Sequence, residues 1–489
     1  MRISIFFLAL ILATCPLFLR SQGFSNYSYK FKITGLKDTV CYLGFHFGEK
    51  KFVRDTARVN AKGEVEFKKK NDTLPGGIYL FVLPDKRWFE FIINEPSFTI
   101  ETDTGNLVGN ARSKGSVENQ LWFEYLRLMS AKHKEIEPIR KERDSLDKKS
   151  ERYKALDKKL TALNDEVNAY RESIMQKNSN TFIADLFRAM KDIEIPESPK
   201  NPDGTVDSLF RYQYFRNHYF DHLNLTDERF LRTPVFEPKF MYYIEKVIPQ
   251  IPDSIIAEAD KLIAKASTNA EMFKFIVHTI TYTFERSQLM CMDAVFVHLV
   301  EKYYNTGLAK WSDQTTLDKM KERAAKLKPL LCGKTAPNII LPDTNMVWQN
   351  LYNIQSDITV LYFWDATCSH CKKNTPKLIE VYNNYLKPNN IPLFAVEGEL
   401  ETTEWKKYLV EHKFPWINVS DNPDINKHPE KYIHLTDLPS LNFRHTWDLS
   451  TYPVVYVLDK DKKILAKKIG VEQIRDFIEG YKKSKKASH

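Results

Sequence analysis

Beyond its first 22 residues the chain has no long apolar run, and it is poor in cysteine. A membrane-spanning helix needs about 20 predominantly apolar residues, and no later stretch supplies them. The 489 residues include six cysteines, too few and too scattered for a disulfide-stapled small domain. A second CxxC and an HExxH pair are also missing. We therefore expect neither a structural zinc site nor a zincin centre, and we assign no metal.

A basic stripe is absent as well, although the formal net charge is +9. Four lysines (Lys482, Lys483, Lys485 and Lys486) cluster in the tail, whereas elsewhere Lys and Arg alternate with Asp and Glu. That alternation is typical of solvated helix faces rather than of a nucleic-acid footprint. We therefore expect no nucleic-acid partner.

The N-terminus has the layout of a secretory signal peptide. Arg2 precedes an apolar run from Ile3 to about Leu19, and short polar residues follow. We expect residues 1–22 to be a signal peptide and the mature protein to reach the periplasm or cell envelope. An uncleaved anchor and lipid attachment at Cys15 are the alternatives.

Three segments with different patterns follow. Residues 23–112 alternate short β-branched and aromatic runs with turn residues, which predicts a small antiparallel β-domain resembling a sandwich. Residues 113–330 have helical patterns and predict an all-α domain. In residues 331–489, buried-strand patterns alternate with helices, which predicts an α/β fold with a central sheet.

The helical segment contains a heptad-like seam. Its apolar residues lie seven apart, with companions between them: Leu146, Tyr153, Leu160, Val167 and Ile174, then Leu156, Leu163 and Tyr170. This spacing predicts a long helix in a coiled-coil-like contact. The partner is either another helix of the same chain or a second copy, in which case a homodimer forms through residues 146–174.

Cys368 and Cys371 form the one cysteine pair with a meaningful spacing. They follow the apolar run 359–364 and open a helix, so Cys368 should lie beside unpaired N–H groups at the positive helix end. That position stabilises a thiolate, and Cys371 is placed one turn later to resolve a mixed disulfide. We therefore predict a thiol–disulfide exchange site that needs no cofactor. The remaining cysteines, Cys41, Cys291 and Cys332, are expected to be small buried hydrophobic residues.

Residues from about 333 to 480 resemble the TlpA/ResA-like branch of the thioredoxin superfamily, the exported thiol–disulfide reductases. The matching residues are Gly333-Lys334-Thr335-Ala336-Pro337, Leu341-Pro342-Asp343, Phe363-Trp364, Thr375-Pro376-Lys377-Leu378, Tyr452-Pro453 and Leu458-Asp459-Lys460-Asp461. The resemblance implies a thioredoxin-like fold, protein disulfide clients and a membrane thiol donor. The preceding segments resemble accessory domains of unknown function.

The resemblance also implies roles for residues around the cysteines. A cis-Pro453 would pack against the CxxC and, with Tyr452, leave backbone groups free to bind the substrate chain. Ser369, His370 and Trp364 are expected to modulate the couple. A His between the cysteines can stabilise the reduced form and make the couple more oxidising, whereas the family favours a reductase. We favour the reductase; an oxidase or isomerase remains open.

Two departures from thioredoxins concern proton transfer and the approach to the first cysteine. Tyr362 stands where many thioredoxins have a buried Asp, and Thr367 stands where they have a Trp. Proton transfer to and from Cys371 therefore needs another acid. Glu397, which follows the predicted strand 393–396, is the first candidate, and Asp365 is the second.

Two other functional classes compete with this hypothesis. A binding or scaffold protein would use the first 330 residues and keep the thioredoxin module as an accessory. A thiol peroxidase would need a Pro-x-x-x-Thr-x-x-Cys loop, which the sequence does not show.

Overall fold

The computed structural model describes residues 23–200 and 202–487, so the expected signal peptide lies outside the described residues. The described chain forms two compact units. The first comprises the chain up to Ile248 with Lys265–Met272, and the second comprises Pro249–Ala264 with the chain from Phe273 onward. The division falls inside the predicted helical domain. Among the helices of the described ranges, none is both long and apolar enough to cross a membrane.

The first unit begins with a β-sandwich, as predicted. Its strands are β1 (Gly23–Thr34), β2 (Val40–Phe47), β3 (Lys50–Arg58), β4 (Glu64–Pro75), β5 (Gly77–Val82), β6 (Trp88–Ile93), β7 (Ser97–Asp103) and β8 (Arg112–Lys114). They form two sheets, in the orders β4-β1-β7-β8 and β3-β2-β5-β6. Phe31 of β1 packs on Phe81 and Phe91 of the other sheet, with ring centroids 4.6 and 5.1 Å apart. One pairing, β1 with β7, is parallel rather than antiparallel.

Helices follow the sandwich. They are α1 (Val117–Asp144), α2 (Glu151–Lys177), α3 (Phe182–Ala189), α4 (Phe210–His218), α5 (Phe236–Tyr242), α6 (Pro252–Ala266), α7 (Ala270–Glu285), α8 (Asp293–Leu299) and α9 (Gln314–Leu327). The predicted seam lies on α2, where Leu156, Leu160 and Leu163 share a buried cluster with Ile139 of α1. The seam is therefore covered within one chain. A homodimer through this helix would have to use its other faces, and it stays a prediction.

The helical prediction for residues 146–174 was wrong at its start. Helix α2 begins at Glu151, where the Ser150 side chain accepts a hydrogen bond from the Tyr153 amide. Leu146 lies in the turn before it, and its amide donates to the Arg143 carbonyl. Ser150 is a preferred N-cap residue, which explains why the helix starts there.

The expectation that Cys291 and Cys332 are small buried hydrophobic residues was also wrong. They form a disulfide across 41 residues of sequence, with Cα atoms 5.6 Å apart. Both are half-buried rather than buried. Cys291 has a φ of 68°, and Cys332 precedes the start of the α/β part. The odd cysteine count concealed this pair because folding, not spacing, brings the two residues together. Cys41 is buried and free, as expected.

The second unit contains the α/β domain. Its strands are β9 (Ile340–Pro342), β10 (Trp348–Asn350), β11 (Ile358–Trp364), β12 (Leu393–Glu397), β13 (Ile417–Val419), β14 (Val454–Asp459) and β15 (Ile464–Lys467). Its helices are α10 (Ser369–Val381), α11 (Thr403–His412), α12 (Pro423–Lys427), α13 (Pro429–Tyr432), α14 (Leu438–Leu441), α15 (Phe443–Thr446) and α16 (Ile474–Ala487).

The central sheet of this domain has the order β13-β12-β11-β14-β15. Strand β11 is buried along its whole length, parallel to β12 and antiparallel to β14. Its apolar residues occupy both faces, as the uninterrupted pattern predicted. The predicted order, a β-domain followed by helices and an α/β domain with a central sheet, is therefore confirmed.

Candidate functional site

The two CxxC cysteines occupy different environments at the start of α10. Cys368 is the N-cap residue and is half-buried, whereas Cys371 lies in the first turn and is 0 % exposed. Both thiols are free. Cys368 Sγ donates to the Tyr452 carbonyl oxygen over 3.7 Å, and Cys371 Sγ accepts from the Asp365 amide over 3.4 Å. Because burial raises the pKa of Cys371, the outer cysteine is the better placed nucleophile.

Glu397 lies at the same end of the sheet as the cysteines, since it is the parallel-strand partner of Trp364. Its side chain is 0 % exposed. The Oε1 atom accepts from the amides of Ala366 and Glu399, both over 3.2 Å. The Oε2 atom has no hydrogen-bond partner among the described residues. Burial raises the pKa of Glu397 to about 8, so this carboxyl can gain or lose a proton near neutral pH.

The Tyr452–Pro453 peptide bond is cis, as the resemblance implied. Pro453 immediately precedes β14, and the Tyr452 carbonyl faces Cys368. The Tyr452 ring covers Gly398, where an added Cβ would lie 2.2 Å from the ring carbon Cζ. Gly398 is thus required by the close approach of the ring. Burial raises the pKa of the Tyr452 hydroxyl to about 12, so it stays protonated at neutral pH.

The remaining predicted residues differ in exposure. Ser369 and His370 are exposed in the first turn of α10. Cys368 Sγ donates its hydrogen bond to the Tyr452 carbonyl oxygen rather than to the His370 imidazole. Trp364 is 1 % exposed and packs on Tyr408 and Phe414, with ring centroids 5.6 and 5.5 Å away. Trp364 therefore belongs to the same buried apolar cluster as Cys371, against which Cys368 also packs.

Comparison with known proteins decides the family. A model described as "Thioredoxin-like" matches residues 356–464, which include the CxxC. A solved domain of a possible thiol-disulfide isomerase from Cytophaga hutchinsonii is 36% identical, and the match covers 98% of that chain and 32% of this one, with a TM-score of 0.27. The chain belongs to the thioredoxin-like thiol–disulfide oxidoreductases.

Other relatives of this oxidoreductase match the same part of the chain or more. The curated thiol-disulfide oxidoreductase ResA of Bacillus thuringiensis is 27% identical over 153 residues, which is 31% of this chain and 76% of the relative. ResA of Bacillus cereus is 25% identical over 151 residues, 30% of this chain and 75% of the relative. A thioredoxin-like protein from Bacteroides caccae is 18% identical, covering 58% of this chain and 98% of its own, with a TM-score of 0.42.

The segments before the oxidoreductase domain match two families without an assigned role. Residues 28–122 match a domain of unknown function, DUF4369, and residues 148–327 match another, DUF5106. Within residues 23–200 and 202–487, no three His, Cys, Asp or Glu side chains are grouped as a metal site.

The sequence reasoning missed an ion pair that supports the Glu397 turn. Arg444 Nε donates to the Gly398 carbonyl oxygen over 2.5 Å, and its two terminal nitrogens donate to Asp421 over 2.6 and 2.7 Å. Asp421 is 0 % exposed. These residues lie 23 positions apart, Arg444 on α15 and Asp421 in the loop after β13, so no local spacing could indicate the pair. The glycine directly after Glu397 was the available signal, because Gly often marks a close approach.

Proposed function

We propose that this protein is an exported oxidoreductase that reduces disulfides of protein clients through Cys368 and Cys371. The Cys368 thiolate attacks one client sulfur, which forms a mixed disulfide and releases the other client sulfur as a thiolate. Cys371 then attacks Cys368 Sγ, so the second client thiol leaves and the Cys368–Cys371 disulfide forms. The observation that carries the proposal is the asymmetry of the pair, with a half-buried Cys368 and a fully buried Cys371.

The client chain is proposed to lie against Tyr452 and Pro453. The Tyr452 carbonyl already accepts from Cys368 Sγ, so it lies where a backbone amide of a client bound at the nucleophile could reach it. The packing of the Tyr452 ring over Gly398 holds this part of the backbone in place.

Glu397 is proposed as the acid–base group of the cycle. Cys371 must lose its proton before it attacks the mixed disulfide, yet burial raises its pKa. Tyr362, at the usual position of a buried acid, is itself 1 % exposed, and burial raises its pKa too. Glu397 has a pKa of about 8 and an unpartnered oxygen, which suits a group that takes the Cys371 proton directly or through a water.

Export is proposed from two features. The first 22 residues have the layout of a signal peptide. The Cys291–Cys332 disulfide is of a kind that persists in oxidising compartments outside the cytoplasm. The oxidised CxxC pair would then be returned to its thiols by a membrane-embedded thiol carrier.

The first test is the equilibrium between the mature protein and glutathione, with Cys371→Ser as the control that cannot form the pair. We expect a potential of about −250 mV or below, in the range of thioredoxin-like reductases. A value of about −120 to −180 mV would make the protein an oxidase or isomerase. The absence of a reversible couple would contradict the proposal.

The scaffold alternative predicts a different result with clients. Under the proposed cycle, Cys371→Ser should trap clients as mixed disulfides that dithiothreitol releases, and Cys368→Ser should trap none. Client capture that survives the Cys368→Ser, Cys371→Ser double variant would favour a scaffold that uses the first 330 residues.

A further inference from the structure

Asp365 lies in the short segment between β11 and the nucleophile, and its carboxylate is turned inward toward the start of α10. The side chain is 8 % exposed. Its Oδ1 atom accepts three hydrogen bonds: from the Thr367 amide over 2.6 Å, the Thr367 hydroxyl over 2.8 Å and the Cys368 amide over 3.2 Å. The Asp365 amide, in turn, donates to Cys371 Sγ over 3.4 Å.

These contacts place the Asp365 carboxylate on the backbone amide of the nucleophile and the Asp365 amide on the sulfur of Cys371. A thiolate at a helix N-terminus is normally stabilised by free backbone amides and by the positive end of the helix dipole. Here the amide of the nucleophile itself is already bonded to the Asp365 carboxylate. A Cys368 thiolate would therefore lose that donor and be repelled by a neighbouring like charge.

The same charge acts on the buried groups around it. Burial is the main cause of the raised pKa of Cys371 and of Glu397, and the Asp365 carboxylate adds to both. The Asp365 amide has the opposite effect on Cys371, because its hydrogen bond to Sγ lowers the pKa of that thiol. The basic side chains at the start of α10 lie at the surface. His370, Lys372 and Lys373 are all exposed on the first turns of α10, where water screens them.

We infer that Asp365 sets the reduction potential of the Cys368–Cys371 couple toward the reducing side by disfavouring the thiolate of the nucleophile. The inference rests on the proposed function, since it needs a cycling CxxC. Asp365 acts through the sulfurs' surroundings and takes no part in bond exchange, so it is a positioning residue. It also opposes the pull of His370 toward an oxidising couple, because stabilising the reduced form raises the potential.

The test uses the mature full-length protein and the balanced exchange in which the Cys368–Cys371 disulfide and two glutathione thiols yield the dithiol and one glutathione disulfide. Asp365→Asn keeps the side-chain shape and one oxygen acceptor but removes the charge. We expect its equilibrium constant to shift about tenfold toward the dithiol, which corresponds to about 30 mV. Glu380→Gln, which removes an exposed charge from the end of the same helix, should leave the constant unchanged.

A second measurement keeps the inference testable if Asp365→Asn folds poorly. Asp365→Ser retains a small capping oxygen, and in the Cys371→Ser background it should raise the rate of Cys368 alkylation by iodoacetamide at pH 7 several-fold. If both variants lower thermal stability but leave the glutathione equilibrium and the alkylation rate at the wild-type values, Asp365 is a loop cap and the inference is overturned. A wild-type protein without any reversible couple would instead overturn the proposed function, which is a distinct result.

Discussion

The two units of the chain each bury a glutamate, and the two carboxyls differ in how many hydrogen bonds they accept. Glu118 lies in the first turn of α1 in the first unit and is 3 % exposed, and Glu397 ends β12 in the second unit and is 0 % exposed. Burial raises the pKa of both. On exposure and pKa direction alone, either could be taken for a functional acid.

Their hydrogen bonds separate them. Glu118 Oε1 accepts from the Phe182 amide over 2.6 Å and from Asn94 Nδ2 over 2.7 Å, and its Oε2 accepts from the Ile183 amide over 2.9 Å. Both oxygens of Glu118 are therefore used to tie α1 to the start of α3. Glu397 leaves Oε2 unpartnered within the described residues.

A perturbed pKa therefore does not by itself mark a functional acid; the carboxyl also needs an oxygen that is free to exchange a proton. A buried carboxyl with both oxygens hydrogen-bonded holds neighbouring elements together, and its removal leaves donors that nothing else satisfies. A buried carboxyl with an unpartnered oxygen costs stability and is retained for another reason.

The largest expected effect is a loss of stability when the Glu118 carboxyl is removed. Glu118→Ala leaves the amides of Phe182 and Ile183 and the Asn94 side chain without their acceptor, so the first unit should lose about 4 kcal/mol of stability. Hydrogen exchange of the amides at the start of α3 should accelerate accordingly. Glu124→Ala, at an exposed position on the same helix, is the control. Unchanged exchange rates in Glu118→Ala would show that the hydrogen bonds of Glu118 do not hold the start of α3 in place.

At Glu397 the expected change in stability has the opposite sign, because removing the carboxyl should stabilise the protein. The folded pKa of about 8 lies above the ordinary value of 4.5, so the native state holds a proton that the unfolded state has lost. The associated stability is complete below about pH 4.5 and disappears as the pH rises through about 8. Glu397→Gln should therefore stabilise the protein at pH 7 by about 3 kcal/mol, and by little at pH 4.5.

The same substitution should lower client disulfide turnover at pH 7 by about a hundredfold, because the amide cannot exchange a proton. Denaturant unfolding at the two pH values and an insulin reduction assay measure both effects. Glu404→Gln, at an exposed position in the first turn of α11, should change neither. A Glu397→Gln enzyme that is more stable and fully active would show that Glu397 is not the proton acceptor.

A third, smaller effect concerns how Glu397 is held. Its position depends on the turn at Gly398, whose amide donates to the Trp364 carbonyl over 2.6 Å beneath the Tyr452 ring. Gly398→Ala should displace that ring and cost about 2 kcal/mol, as overpacking typically does. In a Tyr452→Ala background the ring is gone, so Gly398→Ala should cost much less stability there than in the wild-type background. Equal costs of Gly398→Ala in the two backgrounds would contradict the clash.

Sequence reasoning located the parts of the site that lie close together along the chain. Two sequence features indicate the site. One is the spacing of Cys368 and Cys371 after a predicted buried strand, and the other is the Tyr452-Pro453 step before another strand. Glu397 was named for its position at a strand end. Whether its second oxygen is unpartnered depends on the fold around it, and no local pattern contains that information.

The contacts that the sequence concealed are long-range. The Cys291–Cys332 disulfide joins residues 41 positions apart, and the Arg444–Asp421 pair joins α15 to the loop after β13. The parallel pairing of β1 with β7 was missed for the same reason, since alternation along a strand does not identify its neighbour.

The smallest expected effect tests the first unit with a third glutamate. Glu95 accepts from the Ser116 hydroxyl on both oxygens over 2.9 Å, and burial raises its pKa to about 7. Because its folded pKa exceeds 4.5, its stabilising contribution is complete at pH 4.5 and is lost as the pH rises through about 7. Since Glu95 is only half-buried, Glu95→Gln should stabilise the first unit at pH 8 by about 1 kcal/mol and flatten the dependence of its stability on pH.

Ser116→Ala should steepen the dependence of stability on pH, because the ionised Glu95 carboxylate loses its donor. Denaturant unfolding between pH 4.5 and 8 measures how stability changes with pH, and a Glu95→Gln protein with the wild-type pH dependence would show that Glu95 does not cause it.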